Sequence, residues 1–293
     1  MLLAKVITII GLGFVGLTSA LGFAEKGLKV YGYEINKEKR SLLSKNIIPF
    51  HEPKLTEMLK KHQESRSFTL VDDLSKCINE SDIVMICVGT PSKENGKVDL
   101  SQIKSAIDLI IKNLINNDLV ICIKSTVPPS STSVDITSYL KEKSSNISCE
   151  IGLANNPEFL REGYAWEDFL NPDRIIIGTN DEKSKQKMNK IYKNFNCKIH
   201  NTNLNTSEFI KYASNTLLAT LISYSNELEM IAYTIKDIDI KESFNILHED
   251  KRWSGNPCQM TAYAKPGFGF GGYCLPKDTL GIIYKSFENG FSA

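Results

Sequence analysis

A cysteine near the end of the chain has the surroundings of a nucleophile. Cys274 follows the glycine-rich run Gly267–Gly272 and precedes Pro276, a residue typical of the first turn of a helix. A helix N-terminus and the charge of Lys277 would favour the thiolate over the thiol. By residue type and position alone, Cys274 fits a catalytic nucleophile and a structural cysteine about equally.

Two further groups of polar residues could act on a substrate. Glu158 and Glu162 follow a predicted strand, where carboxylates can hold or activate a water molecule or a hydroxyl. Glu208, Lys211 and Asn215 share one face of a predicted helix, so an ammonium and an amide could stabilise a single oxygen. Taken alone, the second group is also typical of a solvated helix face.

The segment Gly11–Gly16 reads G-x-G-x-x-G directly after a predicted strand. In that context the glycines permit a tight turn and a close approach of the backbone to a pyrophosphate. Glu34 ends the next strand, where a carboxylate can bind an adenosine ribose and repel a 2′-phosphate. The pattern favours NAD over NADP; FAD uses the same fingerprint, and a simple turn with a strand-end charge remains the alternative.

Two more strand ends are predicted to border the same crevice. Val88–Pro91 and Ser125–Val127 each follow an apolar run, at the carboxyl side where ligands of open α/β sheets bind. These segments favour a nicotinamide enzyme, although their spacing is also that of ordinary turns.

The elements that must position these residues alternate along the chain. Apolar runs predict strands, and helical stretches near Asn36–Lys45, Leu100–Ile115 and Ser131–Lys143 lie between several of them. The predicted strands are Lys5–Ile10, Lys29–Tyr33, Phe68–Val71, Ile83–Val88, Leu119–Ile123, Ile151–Ala154 and Arg174–Ile177. The pattern indicates an α/β fold: a doubly wound, Rossmann-like parallel sheet in residues 1–203.

A long helix, Ser207 through Lys236, is predicted to open a helical central domain in residues 204–293. Such a helix suits dimerisation, although packing within the chain would explain it equally well. The Gly-, Pro- and aromatic-rich stretch Arg252–Tyr273 predicts a structured loop.

The composition limits the kinds of partner. Of 293 residues 42% are hydrophobic, and the formal net charge is +1 with scattered lysines, which argues against nucleic acid. The seven cysteines show no metal-ligand spacing, so no metal is expected. The apolar stretch Val6–Ala24 is interrupted by glycines and lacks a charged segment before it, so we expect no membrane anchor and a cytoplasmic protein.

Together, the motifs resemble those of the UDP-glucose and GDP-mannose dehydrogenase family, in family order and across nearly the whole chain. They are G-x-G-x-x-G, V-G-T-P, K-S-T-V-P, N-P-E-F-L-R-E-G followed by N-P-D-R-I-I-I-G, E-x-x-K-x-x-x-N, and G-F-G-G-x-C-x-P-K-D. Members oxidise the 6-hydroxyl of a nucleotide sugar to a carboxylate with two NAD molecules. The resemblance therefore implies NAD as cofactor, a nucleotide-sugar substrate and a homodimer formed through the central domain.

The resemblance also implies a covalent mechanism. Cys274 would attack the aldehyde formed by the first hydride transfer, and the resulting thiohemiacetal would be oxidised to a thioester that water hydrolyses. Lys211 and Asn215 would stabilise the oxyanion.

The resemblance implies three further catalytic residues. Asp278 would position the water or orient the lysine, while Thr126 and Glu158 would organise the water that serves as base. The implied cofactor-binding residues are Gly11, Gly13, Phe14, Val15, Gly16, Glu34, Lys37, Gly89, Thr90, Ser125, Thr126, Glu162 and Lys277. The implied substrate-binding residues are Glu158, Phe159, Leu160, Arg161, Lys211, Asn215, Phe268, Gly269, Phe270 and Gly271.

The sugar is specified less sharply than the chemistry. The run E-F-L-R-E-G-x-A-x-x-D-F-L-N-P-D-R is more similar to the UDP-glucose branch, whereas Arg252–Gly255 departs from the R-I-G of those enzymes. UDP-glucose is the first expectation, with GDP-mannose or another UDP-hexose behind it. A two-electron hydroxyacid dehydrogenase without a nucleophilic thiol is a rival reading.

The family continues beyond the region of Asp278 into a second Rossmann-like domain that holds the nucleotide diphosphate. We expect this chain to lack that domain, which would weaken substrate orientation and water exclusion. An NAD-binding module without activity is therefore a further alternative.

Overall fold

The computed structural model of the chain describes residues 6–250, except 92, 95, 96, 116 and 236, and residue 292. The chain divides into two compact units, Met1–Ser214 and Asn215–Ala293. Several predicted features lie outside the described residues: the loop Arg252–Tyr273, which includes Phe268, Gly269, Phe270 and Gly271, and the residues Cys274, Lys277 and Asp278. The predicted domain boundary at residue 203 stays a prediction.

The described strands of the first unit form one eight-stranded sheet in the order β3-β2-β1-β4-β5-β6-β7-β8. The strands are β1 Val6–Ile10, β2 Lys29–Tyr33, β3 Phe68–Val71, β4 Ile83–Ile86, β5 Leu119–Ile123, β6 Ile151–Asn155, β7 Arg174–Thr179 and β8 Lys198–Thr202. Neighbouring strands are parallel except β6 and β7, which are antiparallel. The predicted doubly wound, Rossmann-like α/β fold is confirmed.

Helices follow most of the strands. In the first unit they are α1 Phe14–Glu25, α2 Lys37–Ser44, α3 Leu55–Glu64, α4 Ser75–Glu80, α5 Ser101–Asn113, a π-helix Ser131–Ile136, α6 Thr137–Lys143, α7 Ala165–Leu170 and α8 Glu182–Ile191. Helix α9, Leu204–Ile235, begins in the first unit and continues into the second, which also contains α10 Ile240–His248. No helix of the described part is long and apolar enough to span a membrane.

Alternating side chains of the central strands build a core on each face of the sheet. Ile7 and Ile9 of β1 belong to one cluster, together with Phe23 of α1. Ile10 belongs to the other cluster, together with Ile107 of α5. Successive residues of a strand point to opposite faces, so strands covered by helices on both sides must be apolar throughout, as the β-branched runs of this sequence are.

The structure differs from the predicted elements in several places. Strand β4 ends at Ile86, and the predicted last residues, Cys87 and Val88, lead into the following turn. The predicted helix from Ser131 to Lys143 starts as a π-helix. Strand β8 was not predicted, because Lys198–Thr202 is a polar sequence without an apolar pattern. In the structure its residues are mostly exposed.

Candidate active site

The predicted cofactor residues follow strands that are neighbours in the sheet. Strand β1 pairs with both β2 and β4, and β4 pairs with β5. The chain order reverses at β1, and in open α/β sheets a ligand binds outside the carboxyl ends of the strands at this point. The carboxyl ends of β1, β2, β4 and β5 lie at one edge of the sheet, because these strands are parallel. The residues close behind these ends therefore lie at that edge: Gly11, Glu34, Gly89 and Ser125.

The glycine turn after β1 has the shape needed to receive a pyrophosphate. Gly11 has a φ of 90°, and a side chain there would meet the Cys87 carbonyl oxygen at 2.8 Å. A Cβ at Gly16 would lie 1.8 Å from the Gly11 oxygen, so the turn packs directly on α1. At Gly13, by contrast, the nearest atom to an added Cβ is Nζ of Lys39 at 4.0 Å. The backbone at Gly13, before Phe14 and Val15 of α1, is open to a ligand.

The carboxylate of Glu34 is fixed beside this turn. Its Oε2 atom accepts from the Leu12 amide at 3.1 Å and pairs with Nζ of Lys39 at 3.1 Å. Its Oε1 atom accepts from the Asn36 amide at 3.1 Å. A carboxylate oxygen can accept more than one hydrogen bond, so this group can also receive a ribose hydroxyl. The open turn and the oriented carboxylate fit an adenine dinucleotide.

Lys39 is a residue that the sequence analysis did not single out. Asn36 caps α2 by accepting from the Lys39 amide at 3.0 Å. Because the helix begins at this point, the side chain of Lys39 is directed towards Glu34. The structure places the predicted Lys37 elsewhere, in a cavity of about 560 Å³ that Arg40, Arg66 and Asp72 also line. The signal that could have identified Lys39 is the Asn-initiated helix start.

The loops after β4 and β5 are tied to each other. The hydroxyl of Thr90 donates to the Thr126 carbonyl oxygen at 2.8 Å, and the hydroxyl of Ser125 donates to the Val88 carbonyl oxygen at 2.7 Å. The two predicted loops thus form one wall of the crevice, with Gly89 between Val88 and Thr90.

Two residues predicted to be catalytic form a largely buried ion pair. Nζ of Lys211, on α9, lies 3.0 Å from Oε1 of Glu158, with side-chain exposures of 8% and 14%. Oε2 of Glu158 accepts from the Leu160 amide at 2.6 Å. The ammonium also lies 5.2 Å from the centre of the Phe159 ring. A shielded ammonium beside a carboxylate can donate to a developing oxyanion while the carboxylate accepts from water.

Phe159 interacts with a second cation. The guanidinium of Arg174, at the start of β7, lies 4.6 Å from the same ring. Cation–π contacts of this kind hold a ring in one orientation. The segment between β6 and α7 is therefore fixed against both β7 and α9.

A buried lysine, Lys124, binds the start of this segment at Asn156. Nζ of Lys124 donates to Oδ1 of Asn156 at 3.0 Å, and the hydroxyl of Tyr192 donates to the same oxygen. Nδ2 of Asn156 donates to the Ile176 carbonyl oxygen at 2.8 Å. Burial lowers the pKa of the Lys124 ammonium. In the sequence, Lys124 stands out only as part of K-S-T-V-P. The signal for a buried cation is a lysine directly after the apolar run Leu119–Ile123.

The remaining predicted residues are placed less centrally. Glu162 is exposed, and the guanidinium of Arg161 makes two hydrogen bonds to the Asp168 carboxylate, at 3.0 and 2.7 Å. Glu208 is buried and accepts from the Thr132 amide at 2.8 Å, and burial raises the pKa of its carboxyl group. Asn215 lies on α9 as the first residue of the second unit. Among the described residues no cluster of three or more His, Cys, Asp or Glu could hold a metal ion.

Comparison with known proteins gives matches along both units. Residues 5–196 match the NAD binding domain of the UDP-glucose/GDP-mannose dehydrogenase family, and residues 205–293 match the central domain of the same family. The UDP-glucose 6-dehydrogenase of Rickettsia typhi is 42% identical over 283 residues, covering 94% of this chain. The chain spans 61% of the length of that relative.

Solved structures agree in fold. The GDP-mannose dehydrogenase of Pseudomonas aeruginosa superposes with a TM-score of 0.86 at 29% identity, covering 97% of this chain and 64% of the other. The UDP-glucose dehydrogenase of the archaeon Pyrobaculum islandicum gives a TM-score of 0.79 at 32% identity, covering 99% and 65%. The predicted cofactor, NAD, is confirmed by the match to the NAD binding domain. On the evidence of its glycine turn, its crevice and these matches, the chain belongs to the UDP-glucose/GDP-mannose dehydrogenase family.

Proposed function

We propose that the chain takes part in the NAD-dependent, four-electron oxidation of a nucleotide-sugar 6-hydroxyl to a carboxylate, with UDP-glucose as substrate and UDP-glucuronate as product. The observation that carries the proposal is the buried pair of Lys211 and Glu158, which supplies a donor and an acceptor beside a dinucleotide crevice. The relatives named as UDP-glucose 6-dehydrogenases support the choice of sugar.

The first oxidation needs a hydride acceptor, a base and donors to the developing negative charge. NAD, when bound at the glycine turn and Glu34, supplies the acceptor for the hydride lost in each of the two oxidation steps. Water organised by Thr126 and Glu158 takes the proton of the sugar hydroxyl as the alcohol becomes an aldehyde. Lys211 and Asn215 donate hydrogen bonds to the oxygen on which negative charge develops.

The second half of the reaction requires a covalent intermediate. The thiolate of Cys274 adds to the aldehyde carbon, and the carbonyl oxygen takes up a proton to give a thiohemiacetal. Loss of hydride and the hydroxyl proton gives a thioester. A water oriented by Asp278 then attacks this thioester, the carbon–sulfur bond breaks, and the acid and the thiol are released.

We assign the sugar to the loop of Glu158, Phe159, Leu160 and Arg161 and to the segment Phe268–Gly271. The cofactor is assigned to the crevice residues together with Glu162 and Lys277. The alternatives are GDP-mannose or another UDP-hexose as substrate, or an NAD-binding module without turnover.

We further propose a homodimer formed through the central domain. The leucines and tyrosine at positions 217, 221 and 224 of α9 follow helical spacing and are exposed. Leu218, beside this stripe, is 59% exposed. Sedimentation at several concentrations tests the dimer, and a monomer at all of them contradicts it.

The decisive test counts NADH formed per sugar consumed with UDP-glucose, GDP-mannose and UDP-N-acetylhexosamines supplied separately. Two NADH per UDP-glucose support the proposal, and one NADH indicates a simple alcohol dehydrogenase. Cys274→Ala should abolish acid formation in a four-electron enzyme and leave a two-electron enzyme nearly unchanged. A rise in melting temperature with added NAD but no turnover would indicate a binding module.

A further inference from the structure

Residues 48–54, which we call the strap, join α2 to α3 and contact the glycine turn. The ring of Phe50 meets the ring of Phe14 edge-on at a centroid distance of 6.0 Å. Phe14 is the first residue of α1 and follows Gly13 directly. Ile48 and Phe50 also pack against the core beneath α1. The strap is therefore held against the cofactor side of the crevice.

The same strap carries a buried carboxylate that binds the loop between β6 and α7. Oε2 of Glu52 accepts from the Gly163 amide at 2.9 Å, and Oε1 accepts from the Ala165 amide at 2.9 Å. Glu52 is only 6% exposed. A carboxylate removed from water is stable only when its oxygens are hydrogen-bonded, so both amides are required partners. Gly163 has a φ of 81°, which allows its amide to face Glu52.

The other contacts of this loop are local or run to β7 and α9. Phe159 lies against Arg174 of β7, and Glu158 pairs with Lys211 of α9. Glu158 accepts from the Leu160 amide, and Asp168 accepts from the Arg161 amide at 2.9 Å. None of these contacts involves the strap. Glu52, in contrast, comes from a segment more than a hundred residues away in sequence.

We propose that Glu52 is a positioning residue, which holds the loop 158–165 at a fixed distance from the glycine turn through the strap. The inference rests on the proposed function, because this loop carries Glu158 and the predicted substrate contacts. A hydride transfer tolerates little error in the separation of the two reactants, and a displacement of ~1 Å can lower the rate by about a hundredfold. Glu52 would thereby act on turnover without touching either reactant.

The test replaces one carboxylate oxygen by an amino group. In Glu52→Gln the side chain keeps its shape, but an N–H group faces one of the two loop amides and cannot accept from it. The matched control is Glu167→Gln, because Glu167 pairs with Lys54 of the same strap at an exposed position on α7. Hydrogen exchange of residues 158–165, the Kd for NAD and the steady-state constants are measured for the wild-type chain and both variants.

We expect Glu52→Gln to speed exchange in this loop and to lower kcat by at least about tenfold, with the Kd and KM for NAD within about twofold of the wild type. The control variant should match the wild type in every measurement. Unchanged loop exchange, or a loss of NAD affinity as large as the loss of kcat, would overturn the proposal. If the wild-type chain oxidises none of the sugars, the proposed function fails, while unchanged or faster loop exchange still decides whether Glu52 holds the loop.

Discussion

Nζ of Lys211 lies 3.0 Å from Oε1 of Glu158, and both side chains are largely shielded from water. The lysine comes from α9 and the glutamate from the loop after β6, so the pair joins two elements of the first unit. Each charge is the main compensation for burying the other. The pair therefore contributes both to the chemistry proposed for the site and to the stability of the first unit.

Removing either charge alone should destabilise the protein more than removing both. We expect Lys211→Met and Glu158→Gln each to lower the free energy of unfolding by roughly 3–5 kcal/mol, since the partner charge stays buried. The double variant should recover much of that loss but none of the turnover. Urea denaturation of the wild type, the two single variants and the double variant measures the coupling free energy between the two residues. Strictly additive losses of unfolding free energy would contradict the role of the pair.

Gly13→Ala should separate cofactor binding from folding. Gly13 has a φ of −69°, which alanine adopts readily, and an added Cβ meets no atom closer than 4.0 Å. The methyl group would instead occupy the space through which a pyrophosphate approaches. We expect an unchanged melting temperature without ligand and a Kd for NAD raised at least about tenfold, or about 1.4 kcal/mol.

Gly16→Ala should instead disturb folding. Its Cβ would lie 1.8 Å from the Gly11 oxygen, so we expect a lower melting temperature even without ligand. Calorimetry and NAD titration of both variants check the pair. Equal NAD affinity in Gly13→Ala and the wild type would show that the pyrophosphate lies elsewhere.

Glu34→Ser should relax the choice between NAD and NADP. The carboxylate repels a 2′-phosphate, and its removal releases the ammonium of Lys39 from the ion pair with Glu34. We expect the ratio of NADP to NAD affinity to rise at least about tenfold. Glu38→Ala is the control, at an exposed acidic residue in the first turn of α2, and should keep the original ratio of NADP to NAD affinity.

Stability should fall as the solution becomes acidic because of His62. Nε2 of His62 lies 2.8 Å from Oε2 of Glu25, and Nδ1 lies 2.8 Å from the Ser67 hydroxyl. Burial lowers the pKa of the imidazole from its ordinary value of 6.5, despite the neighbouring carboxylate. Below pH 6.5 the unfolded chain therefore binds a proton that the folded chain resists, and the free energy of unfolding falls with decreasing pH.

One such proton contributes a slope of up to about 1.4 kcal/mol per pH unit. Urea denaturation between pH 7 and pH 5, roughly the range in which an unperturbed histidine titrates, measures this slope. His62→Gln should remove it, whereas His51→Gln, at an exposed histidine, should retain it. A slope that is equal in His62→Gln and the wild type would assign the effect to another group.

The sheet was predictable because its central strands are buried on both faces. Strands such as Val6–Ile10 and Leu119–Ile123 are apolar at every position or nearly so, and this pattern is visible in the sequence. Strand β8 has a polar sequence, and only its pairing with β7 makes it a strand. The reversal of direction between β6 and β7 likewise has no local signal.

The site was predictable as a set of motifs but not as a set of contacts. Residue type and spacing made Glu158 and Lys211 candidates, and the family resemblance implied their roles. Their ion pair depends on how α9 packs. The cap at Asn36 decides that Lys39, two residues beyond the predicted Lys37, reaches Glu34. The bonds of Glu52 join segments that no spacing rule relates.

The loop 158–165 is anchored through main-chain amides, at Arg161, Gly163 and Ala165 among others. An anchor of this kind is indifferent to the identity of most side chains, since every residue except proline offers the same N–H group. Exposed positions such as Glu162 and Tyr164 can therefore change by mutation while the loop keeps its course. Divergence towards a different ligand can begin at these positions without first rebuilding the scaffold.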